Sequence, residues 1–347
     1  MKTQVISAVT NPDAGTGLGA ELIKNGQLVV FPTETVYGLG ANGLDGGAVS
    51  RIFEAKGRPN DNPLILHVAK KSDVKRLWGH VPELAEKLMD TFWPGPLTLI
   101  FNRSECVPDE VTAGLGTVAV RMPENETARA LIKKAGVPIA APSANLSGKP
   151  SPTTAEHVLA DMDGRVPLII DGGSCRFGVE STVLSLCGAL PTILRPGAVT
   201  REMLEAVIGE VRLADCLLKP LKEGEKVLSP GMKYRHYAPK AKVIVVTGAP
   251  EQTAEKVQEL YWRYEGEGYT PEIAATVQTQ EAYRNCRYTC LGDRAEPITL
   301  CQNLFYALRE MDTRADIILA EGVSADGAGL AYMNRLLRAA GFETMEA

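Results

Sequence analysis

The chain has 347 residues, 45% hydrophobic and 23% charged, with a formal net charge of −5. That length accommodates two domains, and the composition excludes low-complexity, collagenous and disulfide-scaffold classes. It also excludes a protein that coats nucleic acid through bulk positive charge, and no apolar run is long enough to cross a membrane.

The first twenty residues carry Asn11, Asp13 and several glycines rather than a basic start and an apolar core, so a cytoplasmic location is expected. A helix is expected over 17–26, ending at Asn25-Gly26. The apolar strand Leu28 to Phe31 stops at Pro32 and opens into the polar turn Thr33-Glu34-Thr35. A helical run from Gly46 to Ala55 carries Val49, Ile52 and Phe53 at helical spacing and delivers the chain to Lys56-Gly57-Arg58-Pro59. A second strand, Leu64 to Val68, carries His67. Two helices, one N-capped at Ser72-Asp73 and one over 82–92, precede the turn Trp93-Pro94-Gly95-Pro96. Strands are expected at 97–101, 118–121 with Arg121 at its end, and 137–141, which opens into Pro142-Ser143-Ala144-Asn145-Leu146-Ser147-Gly148. Strands at 168–170, from Ser181 and at 192–194 follow, the last ending at Arg195, before a helix at 200–208. The fold class is therefore α/β. Polar and cationic groups recur at strand ends, where open α/β sheets collect ligands.

Charge is unevenly distributed. Residues 211–242 hold 8 basic against 3 acidic side chains, whereas 243–347 hold 9 against 16. The basic segment ends in Ser229-Pro-Gly-Met-Lys-Tyr-Arg-His-Tyr-Ala-Pro239, whose aromatics and cations favour docking over a plain spacer. From Lys242 four β-α units follow, a small Rossmann-like unit whose first turn, VTGAPEQT, lacks the dinucleotide fingerprint. Asn334 and Arg335 on its last helix are surface or interface groups, with the plainer surface reading leading. The seven cysteines make no zinc pattern and read as reduced thiols. Boundaries are expected at 1–210, 211–241 and 242–347.

Lys56 and Arg58, two apart on a Gly/Pro-bounded turn, make a phosphate clamp. Arg195 and Arg235 add charge, while Ser143, Asn145 and Ser151 offer neutral hydrogen bonds. There is no P-loop and no kinase signature. His67 is a general base, a substrate contact or a satisfied strand histidine; His80 and His157 have no nameable partner. Arg121 and Thr35 suit the carboxylate and hydroxyl of a small amino acid. The residues alone reach an α/β enzyme acting on an anion-rich substrate, a nucleotide being the first choice. A tRNA-binding module is the main rival, separable by its salt dependence.

Eight stretches carry a resemblance: FPTETVYGLG (31–40), KGRPNDNPL (56–64), WPGPLT (93–98), RMP (121–123), APSANLSG (141–148), STV (181–183), LRPG (194–197) and SPGMKYRHYAP (229–239). Together they resemble the two-domain threonylcarbamoyl-AMP synthases. The resemblance implies an open twisted mixed sheet in a YrdC-like catalytic domain, followed by the smaller C-terminal domain. It implies condensation of L-threonine, bicarbonate and ATP with Mg2+, releasing pyrophosphate, for N6-threonylcarbamoyladenosine formation on tRNA by a downstream transferase complex. It implies that Lys56, Arg58, Asn62, Thr117, Ser143, Asn145, Ser151, Arg195 and Arg235 line ATP, with Tyr234, His236 and Tyr237 close rivals of Arg235. Thr35, His67, Arg121, Ala141 through its backbone and Ser181 would hold threonine. Lys56 and Arg58 would be catalytic, and residues 229–239 would close as a lid. A carbamoyl transferase using carbamoyl phosphate is the remaining alternative; the acylphosphatase-like and zinc-finger segments expected of it are not found ahead of the domain.

Overall fold

The computed structural model describes residues 2–219 and 237–347. Arg235, Tyr234, His236 and most of the expected lid lie outside them.

Eleven strands build the first sheet: β1 (Gln4–Ser7), β2 (Val29–Phe31), β3 (Gly38–Asn42), β4 (Ile65–His67), β5 (Leu97–Asn102), β6 (Thr117–Arg121), β7 (Ile139–Ala140), β8 (Leu168–Asp171), β9 (Thr182–Ser185), β10 (Thr192–Arg195) and β11 (Arg212–Leu213). Their order is β1-β8-β2-β3-β7-β4-β6-β5-β9-β10-β11, with parallel and antiparallel neighbours mixed. The strands read as continuous apolar runs because both faces are covered. Val30 turns to a core with Leu39, Ile52 and Leu66, while Val29 and Phe31 turn to another with Leu131, Ile139 and Ile170.

In this sheet the expected strands are present within a few residues, and β1, β3 and β11 are additions; after Lys242 a fifth strand, Thr344–Glu346, is a further one, and the expected helix near 279–285 is a short 3-10 turn, Gln280–Tyr283. β3 escapes a reading based on side-chain alternation because two of its five residues are glycines. A side chain at Gly40 would meet Ile139 and Phe31 at 2.8 Å, so the close approach of Phe31 requires glycine there.

The helix Gly46–Lys56 explains how its last residue reaches the interior. Asp45 caps it by accepting from the Ala48 amide at 3.1 Å, and Gly57, in the left-handed region at φ 63°, ends it. Val49, Ile52, Phe53 and Lys56 share the buried face. The amphipathic stripe therefore aims a lysine inward.

The second sheet is wholly parallel. Its strands are β12 (Lys242–Thr247), β13 (Pro271–Thr276), β14 (Tyr288–Gly292), β15 (Ile317–Glu321) and β16 (Thr344–Glu346), ordered β14-β13-β15-β12-β16. The helix Pro250–Gly266 covers one face through Val257 and Leu260; the helices Pro297–Met311 and Gly329–Ala339 cover the other. β15 stands between β12 and β13, unlike the order of a dinucleotide-binding sheet.

The surface reading of Asn334 and Arg335 is corrected. Arg335 is fully buried and Asn334 nearly so. Asn334 Nδ2 donates to Leu217 O at 2.5 Å, and Arg335 Nε donates to Glu180 Oε2 at 2.7 Å. A polar pair in a helix looks solvated in sequence; here its partners come from more than a hundred residues away.

Candidate functional site

A cleft opens where β4, β6, β7 and the turns after β2 and before β9 converge. Its wall includes Thr35, Lys56, Arg58, His67, Arg121, Ala141, Ser143, Asn145, Ser181 and Arg195. Ten of the expected site residues thus meet in one place, drawn from segments that span 160 positions of sequence.

Lys56 is held at the end of its helix by the loop after β7. Its Nζ donates to Ser143 O at 2.6 Å and Asn145 O at 2.7 Å, with Asn145 Oδ1 at 3.4 Å. Burial, and then the neighbouring Arg58 charge, push the Lys56 ammonium well below its usual pKa. The charge of an arriving anion opposes this shift and favours the ammonium. The Asn145 amide is turned into its own loop, donating to Leu146 O and Lys149 O at 2.8 Å each, so its side chain shapes the loop. Arg58 is half-buried, with its guanidinium 5.7 Å from the Phe53 ring.

At the ends of β4 and β6, His67 and Arg121 are register partners. Arg121 is already paired. Its Nη2 donates to Glu34 Oε1 at 2.6 Å, its Nη1 to Thr35 Oγ1 at 3.0 Å and its Nε to Gly95 O at 3.2 Å. Burial pushes the Glu34 carboxyl up, but the charge and hydrogen bond of Arg121 outweigh it and hold the group below its usual value. Thr33 Oγ1 donates to Val36 O at 2.6 Å, so the 2.8 Å contact between Thr33 and Thr35 is donated by Thr35. Thr35 then accepts from Arg121 and keeps one lone pair for the cleft. His67 is buried, its Nδ1 has no partner among the described residues, and burial followed by the Arg121 charge pushes its pKa down to about 3. It is a neutral hydrogen-bonding group rather than a base for neutral pH.

Arg195 ends β10 and reaches back across β9. Its Nε donates to Ser181 O at 3.0 Å and its Nη2 to Ser181 Oγ at 3.1 Å, while Ser181 Oγ also meets Thr98 Oγ1 at 2.8 Å. Burial lowers Arg195 to about 10, where it stays charged at neutral pH. Ala141 donates its amide to Ile65 O at 3.0 Å and presents its backbone to the cleft.

Three expected residues do not line this cleft. Thr117 opens β6, at the opposite end of the strand from Arg121. Asn62 is fully buried, and among the described residues neither its Oδ1 nor its Nδ2 has a partner. Ser151 is fully buried and donates to Glu180 Oε1 at 2.5 Å.

Two carboxylates were missed, Glu34 and Glu180. Glu34 had a signal: an acidic residue between two threonines at a strand end is the obvious counter-ion for a buried arginine. Glu180 had none. Tyr237, one of the rivals of Arg235, does line the cleft. It adopts φ 64°, packs on Phe305 at 5.0 Å between ring centres, and is followed by Ala238, whose amide donates to Gly148 O at 2.8 Å. Tyr237 and Ala238, at the end of that run, thus pack against the cleft wall.

A mixed sheet with a buried, cation-lined cleft, braced by a second parallel sheet, defines a two-sheet α/β protein built to hold anions. Residues 21–197 match the Sua5_yciO_yrdC family model, described as Telomere recombination, and residues 199–341 match that of the Threonylcarbamoyl-AMP synthase C-terminal domain. The chain is 51% identical to the threonylcarbamoyl-AMP synthase of Pyrococcus abyssi, with 95% of each covered, and 48% identical to that of Bacillus subtilis, covering 97% of this chain and 96% of the relative. The crystal structure of P. abyssi Sua5 complexed with L-threonine superposes with a TM-score of 0.92 at 47% identity, covering 99% of this chain and all of that one. The chain belongs to the threonylcarbamoyl-AMP synthase family.

Proposed function

We propose that the chain is a nucleotidyltransferase that condenses L-threonine, bicarbonate and ATP to L-threonylcarbamoyl-adenylate and pyrophosphate. The reading takes residues 1–210 as the catalytic domain, 211–241 as linker and 242–347 as the C-terminal domain. One observation carries it: a single cleft is lined by a cationic set, Lys56, Arg58 and Arg195, and by a second set suited to an amino acid, Thr35, His67, Arg121, Ala141 and Ser181.

In this reading the cationic set, with Ser143 and Asn145, takes the triphosphate, and the nucleotide extends toward Asn62, Thr117, Ser151 and Arg235. The unbonded amide of Asn62 supports that extension, since a buried amide without partners is costly unless a ligand completes it. Threonine's carboxylate would approach the Arg121 guanidinium, with Thr35 and Ser181 as hydroxyl partners and His67 as a neutral contact. ATP arrives as its Mg2+ complex. Among the described residues no three His, Cys, Asp or Glu side chains converge as metal ligands, so the ion would be held by phosphate oxygens and water.

The chemistry needs this arrangement. The threonine amine attacks bicarbonate carbon and water leaves, giving a carbamate. A carbamate oxygen then attacks the α-phosphorus as the bond to pyrophosphate breaks. Both reactants are anions, so fixed cations are needed to hold them together and to stabilise the leaving group. Lys56 and Arg58 would do this for pyrophosphate, which makes them the catalytic pair. The adenylate would pass to a tRNA threonylcarbamoyl transferase complex in the cytoplasm, and tRNA itself is a further candidate partner. Among the described residues no helix is long and apolar enough to cross a membrane.

Pyrophosphate release from ATP, measured with each common amino acid and with or without bicarbonate, tests the reading. Release should require both threonine and bicarbonate. Release indifferent to either would refute it.

A further inference from the structure

Arg335 belongs to the helix that follows β15, yet every acceptor it reaches in the first sheet lies on the short segment that carries Ser181 and Arg195. Its Nε donates to Glu180 Oε2 at 2.7 Å, its Nη2 to Pro196 O at 2.9 Å and Glu180 O at 3.3 Å. Glu180 precedes β9 and Pro196 follows β10, so the guanidinium clamps the base of the β9–β10 hairpin. The two ends are in close contact there: a side chain at Gly197 would come within 2.8 Å of Glu180 O. Arg335 is fully buried and its remaining Nη1 is spent on Asn334 Oδ1 at 2.6 Å. Its guanidinium also lies 5.7 Å from the ring of Tyr237, another residue of the cleft wall.

Glu180 is the residue this clamp controls. It lines the same cleft as Arg195 and Lys56. One carboxylate oxygen is held by Ser151 and the other by Arg335. A carboxylate beside a phosphate site opposes phosphate in two ways, by repelling it and by neutralising the cations meant for it. Arg195 is bonded to the neighbouring Ser181 and feels the Glu180 charge, but in this structure the carboxylate is held by Arg335, from the helix that packs on the second sheet.

We propose that Arg335 is a positioning residue for Arg195: by fixing the hairpin base and holding Glu180, it keeps the Arg195 guanidinium open to the nucleotide. The second sheet then completes the nucleotide side of a cleft built by the first. The proposal rests on the reading that the cleft binds ATP.

Three variants test it, with the KM for ATP and kcat read from threonine-dependent pyrophosphate release and ATP affinity read by calorimetry. Arg335→Met releases Glu180 to Arg195 and should raise the KM and weaken ATP binding by at least tenfold, with kcat changed less than threefold. Adding Glu180→Gln to it removes the competing charge and should restore the KM to within about threefold of the starting protein. Arg335→Lys keeps the charge but only one of the bonds, and should fall between. An unchanged KM in Arg335→Met overturns the proposal. So does a double variant as impaired as the single one, because a purely structural arginine would not be rescued by removing its partner's charge. If Arg335→Met does not fold, Arg335→Lys takes its place: a KM unchanged in Arg335→Lys, or one not restored by adding Glu180→Gln to it, overturns the proposal. Wild-type protein that releases no pyrophosphate with threonine and bicarbonate would instead refute the proposed function.

Discussion

His67 sits where opposite effects meet. Burial and the Arg121 charge push its pKa to about 3, while Glu34 pulls it back up only in part. The unfolded chain returns it to about 6.5. Above pH 6.5 both states hold the ring neutral and nothing is lost. As pH falls below 6.5 the unfolded state takes up a proton that the folded state refuses until about 3, so stability falls with pH across that window. The loss should be about 2 kcal/mol between pH 7 and pH 5. Urea unfolding of the wild type and of His67→Gln at both pH values measures it, because the difference between the two proteins removes the contribution of His157, which is also depressed, to about 4. Equal pH slopes in the two proteins would show that His67 is not held neutral. The same reading predicts that no limb of the pH–rate profile between pH 5.5 and 8 belongs to His67.

The loop after β7 carries its function through its backbone. Asn145 gives its amide hydrogens to Leu146 O and Lys149 O, and the carbonyls of Ser143 and Asn145 in turn receive Lys56. Asn145→Ala takes the side-chain donor from Lys149 O, leaves Leu146 O only the Lys149 amide, and removes the acceptor of Ser143 Oγ, at a cost of about 1–3 kcal/mol, and lets the seat of Lys56 drift. The expected result is a several-fold rise in the KM for ATP with faster amide hydrogen exchange over 143–151; exchange unchanged across that loop would count against it. This element also marks how far the sequence was legible. Helical spacing at Val49, Ile52 and Phe53 predicts the buried face that Lys56 joins, and strand ends predict where polar groups gather. Local pattern does not carry the long-range pairs. Arg121 and Glu34 are 87 residues apart and Arg335 and Glu180 are 155 apart. Arg121 and Glu34 each stand out at a strand end but nothing local couples them, Arg335 and Glu180 read as ordinary charged residues, and only burial makes the two pairings compulsory. β3 was hidden for the opposite reason: its glycines erase the alternation that marks a strand.

At the scale of the molecule, the two sheets meet through backbone as well as side chains. Arg309, on the helix Pro297–Met311, donates to Pro150 O and to Asp161 Oδ2 at 2.7 Å, bracing the loop beside the cleft. Gly178 lies against the same helix. It adopts φ 69°, and a side chain there would come within 2.6 Å of Cys301 O and still closer to Gln302 O. Gly178→Ala must therefore strain its own backbone and push that helix away, taking Arg309 from Pro150 and loosening the packing on which Tyr237 and Phe305 depend. If the sheets are one cooperative structure, the wild type should melt in a single calorimetric transition whose calorimetric and van't Hoff enthalpies agree. Gly178→Ala should lower that midpoint by a few degrees and raise the KM for ATP. The two effects should appear together, because the same contact supplies both stability and the shape of the nucleotide side. A wild-type melt resolved into two independent transitions, or a Gly178→Ala protein with unchanged midpoint and KM, would mean that the second sheet is carried alongside the cleft without shaping it.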